Sequence, residues 1–254
     1  MDVQKAAASL GKPVEYDFAK DGFIFVRGLF PKATLDLLQQ HFESSAERIL
    51  NKVGVSYQGK TPLQKLELVE QHDKKAFFEL CTKQWIESYP AALLRGFSPL
   101  VRFISQTLDL PEAEIYSTDS ALFFNSPSVP RLQVCWHTEK HYFASSPSDR
   151  LVNLWMPIFN PASEENGTMW IAPGSHLKEH KCTRNPVPNG ITQMKIEEED
   201  IAEYEKIPCD LALGDAVIFD LNLVHRSGTN RTQVPRTSLV VRYCDFETKF
   251  FTAF

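Results

Sequence analysis

Seven histidines lie along this chain, at positions 41, 72, 137, 141, 176, 180 and 225, and two of them stand in company that suits a metal ion. His137-Thr138-Glu139 closes a short β-like run, and His225 follows Asp220-Leu221-Asn222-Leu223-Val224. Two imidazoles and one carboxylate on one face of an octahedron leave three positions open, the arrangement by which non-haem Fe(II) takes up both a co-substrate and O2. At an extended strand end, residues i and i+2 point the same way, so His137 and Glu139 are expected to face one ion. An H-x-E triplet alone is common in a chain with seven histidines, and its bland reading is a surface His and a surface Glu.

Downstream of His225 run Ser227, Asn230 and Arg236. An arginine eleven residues past the distal histidine can sit on the next strand facing the same cavity, where its planar fork suits bidentate capture of a carboxylate. The alternative is an ordinary surface arginine, and spacing alone does not choose between them. His141, four residues after His137, invites a zinc reading, but that pattern needs H-E-x-x-H on a helix and here it is H-T-E-K-H at a strand end. His141 and Tyr142 are either substrate-pocket or core residues. Asn153 shares strand parity with Trp155, and Arg242 with Arg236, which makes Asn153 and Arg242 candidates for substrate contact. His176 and His180 read as loop-stabilising or surface residues, and Asn166-Gly167 as a structural hairpin turn.

The elements that must position these residues divide the chain in two. Residues 22–28 read as a strand, and residues 33–53, 62–83 and 89–108 carry apolar side chains at helical spacing. From residue 114 onward come short β-rich runs at 114–124, 131–137, 151–158, 168–172, 211–219 and 237–245, separated by Pro, Gly, Asn and Ser clusters. A polar insertion over about 176–208 interrupts them, with one helix expected near 197–204. The expectation is a single α+β domain over 1–254, helix-rich in 1–113 and mainly β in 114–254. Gly54-Val55-Ser56-Tyr57-Gln58-Gly59-Lys60-Thr61 matches a phosphate-binding loop letter for letter. It follows an amphipathic helix, not a buried strand, and so reads as a helix-to-helix loop.

Composition narrows the partners. With 27 basic against 32 acidic residues the net charge is −5, which argues against a nucleic-acid binder. Five unpaired cysteines without C-x-x-C, no secretory leader and no apolar run near 18 residues point to a cytoplasmic chain with reduced thiols and no membrane span. Phe250, Phe251 and Phe254 either close a subunit interface or pack the tail onto the core.

Across nearly its whole length the chain resembles the phytanoyl-CoA dioxygenase family. The matching pieces are Asp21-Gly22-Phe23-Ile24-Phe25-Val26-Arg27-Gly28, Trp136-His137-Thr138-Glu139-Lys140-His141-Tyr142-Phe143, Trp155-Met156-Pro157, Glu165-Asn166-Gly167-Thr168, Pro173-Gly174-Ser175-His176, and Gly214-Asp215 leading to His225 and Arg236. The resemblance implies a double-stranded β-helix (a cupin-like jelly roll) buttressed by N-terminal helices. It also implies an Fe(II)/2-oxoglutarate-dependent dioxygenase acting as a hydroxylase on a small-molecule substrate. Iron would sit on His137, Glu139 and His225; 2-oxoglutarate would be held by Arg236, Ser227 and Trp155; O2 would be the second co-substrate. Three departures stand out: Glu139 occupies a place usually held by Asp, Thr138 one commonly held by Gln, and Asn125 replaces an upstream Lys. Retaining a carboxylate at 139 favours hydroxylation over halogenation. The alternatives are a catalytically inactive jelly-roll binding protein and, more remotely, a nucleotide-binding protein using Gly54–Thr61.

Overall fold

A computed structural model describes residues 8–127, 133–186 and 192–251. Among the described residues eleven strands are formed: β1 (Val14–Glu15), β2 (Phe23–Val26), β3 (Tyr116–Asn125), β4 (Leu151–Pro157), β5 (Met169–Ile171), β6 (Thr183–Pro186), β7 (Thr192–Lys195), β8 (Ile207–Pro208), β9 (Ala216–Asp220), β10 (His225–Ser227) and β11 (Arg236–Cys244). The major sheet runs β1-β2-β9-β4-β11-β3, the minor one β10-β5-β8, and β6-β7 forms a separate hairpin. All the described strand pairs are antiparallel. Two facing sheets with helices on one outer side give the jelly roll expected from the sequence.

Alternation along the central strands decides which side chains meet the site. Leu154 and Met156 of β4, Ile218 of β9, and Leu239 and Val241 of β11 face the helical layer. Trp155, Val217, Phe219 and Val240 face inward, against Met169 and Ile171 of the minor sheet. A period of two on strands buried on both faces therefore sends one set of residues to the helices and the other to a cavity between the sheets. The helix Lys32–Lys52 buries Leu35, Leu38, Phe42, Ala46 and Leu50 against the first set, as its spacing demands.

The helices expected at 62–83 and 89–108 are each broken. Asp73 ends Pro62–His72 and caps Lys74–Glu79 by accepting from the Ala76 N–H, and residues 80–84 continue as a π-helix. Pro99 sits in the first turn of Ser98–Leu108, where its missing N–H costs nothing, so the chain restarts there after Tyr89–Arg95. The helix expected near 197–204 is a single 3-10 turn, Glu198–Ile201. Residues 54–61 join two helices, and Thr61 forms a reciprocal capping box with Gln64, so no phosphate loop opens from a strand.

Of the strand expected at 131–137, residues 131 and 132 lie outside the described residues, and 133–136 form none. His137 makes one isolated β-bridge, with His225. All five cysteines are free thiols. No described helix is long and apolar enough to cross a membrane. Phe246 and Phe250 pack edge-on against Tyr116, whereas the Phe251 side chain and Phe254 lie outside the described residues.

Candidate metal centre

His225 opens β10 and exchanges both backbone hydrogen bonds with His137, each at 3.0 Å. The segment before His137 lacks a strand's ladder but is pinned from both sides. Ser227 donates its backbone N–H to the Val134 carbonyl, Ile196 donates to the Trp136 carbonyl, and the Gln193 amide bonds Cys135 N–H and the Gln133 carbonyl. Two histidines on paired backbones bring their rings to 4.1 Å between centroids.

Glu139 arrives differently from the strand-end expectation. Thr138 is extended, but Glu139 begins a 3-10 turn, Glu139–His141, and the Lys140 N–H donates to the Leu221 carbonyl in the loop before His225. That turn swings the carboxylate between the two rings. Its Oε1 lies 3.5 Å from His225 Nε2 and 3.8 Å from His137 Nε2. The three potential ligand atoms fall within 4.8 Å of one another, and all three residues are buried.

Each histidine is fixed in one tautomer. Nδ1 of His137 lies 2.8 Å from the Cys135 carbonyl and Nδ1 of His225 lies 2.9 Å from the Leu223 carbonyl. A carbonyl only accepts, so each Nδ1 carries the proton and each Nε2 offers a lone pair to the shared space. Burial, then the neighbouring His137, lowers the His225 pKa. Burial by itself would raise the Glu139 carboxyl. The Arg242 guanidinium, the largest influence in the opposite direction, outweighs that and holds it well below the usual range. Both effects favour the ligand forms, neutral imidazole and carboxylate.

Arg236, 2% exposed, lies on the inward face of β11. Its Nε donates to the Gly167 carbonyl at 3.2 Å and its Nη1 to Ser238 Oγ at 2.6 Å, and its guanidinium carbon sits 5.3 Å from the centre of the Trp155 ring. Among the described residues no carboxylate pairs with it. Burial without a counter-charge brings its pKa down to about 10. Trp155, Ser227, Arg236 and the three candidate ligands line one small pocket of about 50 Å³.

Comparison with known proteins agrees with this arrangement. The family model "Phytanoyl-CoA dioxygenase (PhyH)" matches residues 18–238. The chain belongs to the phytanoyl-CoA dioxygenase family. Within it, the chain is 29% identical over 144 residues to phytanoyl-CoA dioxygenase domain-containing protein 1 of Danio rerio (55% of this chain, 47% of that protein). It is 23% identical over 230 residues to the peroxisomal phytanoyl-CoA dioxygenase of Homo sapiens (85% and 63%). The match thus spans about half to two thirds of those relatives' length. Among solved structures, EctD from S. alaskensis with bound Fe superposes with a TM-score of 0.62 at 18% identity, covering 96% of this chain and 77% of that one. The epimerase SnoN, in complex with Fe3+, alpha ketoglutarate and nogalamycin RO, gives 0.60 at 14%, covering 96% and 85%. These likenesses show the fold.

The remaining candidates in this family member separate cleanly. Tyr142 lines a second, larger cavity of about 600 Å³ that reaches His137 and Glu139. Its Oη accepts the Met194 N–H, and burial pushes its phenol up to about 12. Arg242 lines both cavities, and its guanidinium is bound by the Glu139 carboxylate and the Asp119 carbonyl. His141 is spent as a clamp: Nδ1 meets Thr138 Oγ1 at 2.7 Å and Nε2 meets the His180 carbonyl at 3.2 Å. Asn153 shares the inward parity but is fully buried and lines neither cavity; both of its amide atoms lack partners among the described residues. Asn125 binds the Gly167 and Gly228 carbonyls and so braces the loops beside Arg236. Ser238, Gly167 and Asp119 were not anticipated. Ser238 shares parity with Arg236 and could have been found. The other two contribute backbone carbonyls, which leave no signature in side-chain type.

Proposed function

We propose that this chain is a non-haem Fe(II)/2-oxoglutarate-dependent dioxygenase that hydroxylates an aliphatic C–H bond of a small, largely apolar molecule. In the reaction, R–H, 2-oxoglutarate and O2 give R–OH, succinate and CO2. The carrying observation is that two imidazole Nε2 atoms and one carboxylate oxygen face a common space next to a buried guanidinium that has no acidic partner among the described residues. EctD with 2-oxoglutarate and 5-hydroxyectoine, a protein of the same fold, supports the co-substrate assignment. Fe(II) bound by these three residues would supply the activation of O2.

The protein's own share is binding, orientation and exclusion of water. His137, Glu139 and His225 would hold the metal in the protonation states their surroundings favour. Arg236 would take the distal carboxylate of 2-oxoglutarate. Among the described residues only two of its five N–H donors are used, and the anion would relieve its uncompensated burial. The Ser227 hydroxyl would add a donor, and the Trp155 ring would pack along the carbon chain. Phe123, Val134, Phe219 and Val240 surround this pocket and keep it dry.

The larger cavity suits the substrate. Phe77, Phe78, Leu122, Phe124, Val134 and Phe143 supply its apolar wall, and Lys74 and Glu70 are the charged groups on the side of the helical layer. At about 600 Å³ it falls in the range of small-molecule sites. Incubation with Fe(II), 2-oxoglutarate and a library of lipophilic small molecules, with succinate as the readout, tests the proposal. Metal-dependent succinate release that rises with an apolar compound and disappears in His137→Ala supports it. Equal release by His137→Ala contradicts it.

A further inference from the structure

A glutamate at the metal site brings a difficulty that an aspartate brings less of. Its longer arm lets both oxygens close on one ion, because carboxylates bind metals through one oxygen or two. A second oxygen would fill a position needed by the co-substrate or O2. Here the two oxygens of Glu139 are divided. Oε1 faces the histidines. Oε2 receives two donors from one guanidinium, Arg242 Nε at 3.1 Å and Nη2 at 2.9 Å.

Arg242 is itself held from a third direction. Its Nη1 donates to the carbonyl of Asp119. Asp119 has φ +33°, a left-handed conformation rare for residues with side chains, and lies where the β3 register slips against β11 between Val240 and Arg242. The bulge turns that carbonyl onto the guanidinium. Meanwhile the β11–β4 register runs unbroken, so Arg242 stays on the inward face with Arg236. A rigid planar fork with donors at three corners holds the carboxylate and the Asp119 carbonyl together, whereas a lysine's ammonium keeps the charge beside the carboxylate without that fork.

We propose that Arg242 is a positioning residue that keeps Glu139 a one-oxygen metal ligand, so that the open coordination positions survive the replacement of aspartate by glutamate. The inference rests on the metal-centre reading given under Proposed function and adds to it.

Arg242→Gln keeps a side chain of similar reach but releases the grip on Oε2. Calorimetric titration with Mn(II), followed by 2-oxoglutarate into the Mn(II)-loaded protein, separates the two affinities. In a variant with unchanged thermal unfolding, Mn(II) affinity stays at least at the wild-type level, because a second carboxylate oxygen becomes available and a nearby positive charge has gone. 2-Oxoglutarate affinity falls about tenfold or more, the scale on which partners of metal ligands act. Arg242→Lys recovers part of that loss. An unchanged 2-oxoglutarate affinity in Arg242→Gln, or a parallel loss of both affinities, overturns the proposal.

A second measurement needs no variant. In metal-minus-apo infrared difference spectra of the wild-type chain labelled with 13C-glutamate and loaded with Zn(II), a wide separation of the two carboxylate stretches is expected. A narrow, chelate-type separation overturns the proposal. A wild-type chain that takes up no metal overturns the metal reading and this inference with it.

Discussion

Arg236 is the residue on which the co-substrate assignment turns. A buried guanidinium keeps its charge only against a desolvation cost, and its pKa near 10 reflects that cost with no anion to offset it. Supplying a carboxylate is therefore favourable there in a way it would not be at an exposed arginine. For Arg236→Ala, 2-oxoglutarate affinity measured on Mn(II)-loaded protein is expected to fall by about 10- to 100-fold, the span for hydrogen bonds to charged groups. Mn(II) affinity should remain, since Arg236 touches none of the three candidate ligands. At this scale chemical type and spacing left a surface His and Glu and a surface arginine open, and it was the family resemblance that singled out His137, Glu139, His225 and Arg236. The grip of Arg242 on Glu139 was not legible, because it depends on a cross-sheet contact between residues 103 positions apart.

At the scale of elements, the site depends on turns more than on strands. The alternation of β4 and β11 was readable and does place Trp155, Arg236, Ser238 and Arg242 on one face. The strand-end geometry expected for His137 and Glu139 was not realised, since residues 133–136 form no ladder and Glu139 is delivered by a 3-10 turn. Periodicity cannot show such a turn, which is fixed by the distant Leu221 carbonyl. The helix breaks at Asp73 and before Pro99 coincide with a capping side chain and a proline, and the continuous apolar spacing across them masks both.

Gly167 tests how far the turns matter. It has φ +78°, and a Cβ there would lie 2.7 Å from Asn125 Nδ2 and from the Asn230 backbone nitrogen. Its carbonyl also accepts from Arg236. Gly167→Ala should destabilise the fold by about 1–3 kcal/mol, as for other left-handed non-glycine positions. Thermal unfolding checks this, and a matching decrease in 2-oxoglutarate affinity is expected as the Arg236 cradle shifts.

For the molecule as a whole, the buried centre makes stability of the metal-free protein depend on pH. The folded pKa of His225 is lowered, so below about pH 6.5 the unfolded chain binds a proton that the buried ring resists. The folded pKa of Glu139 is lowered too, and on further acidification the unfolded carboxyl takes up its proton first. In both cases the unfolded state holds more protons, so stability is present above the unfolded pKa values and lost as pH falls. Denaturant midpoints of the metal-free chain should therefore decline from neutral pH through the carboxylate range. In Glu139→Gln the part of the slope in the carboxylate range should be shallower.

The central claim is that His137, Glu139 and His225 share one ferrous ion beside an arginine that receives 2-oxoglutarate. Anaerobic titration of the protein with Fe(II) and 2-oxoglutarate, followed by visible absorption, tests it most directly. A charge-transfer band that saturates at one Fe(II) per chain in the wild type and is absent in His225→Ala is the predicted result. No band in the wild type, or an equal band in His225→Ala, would contradict the account.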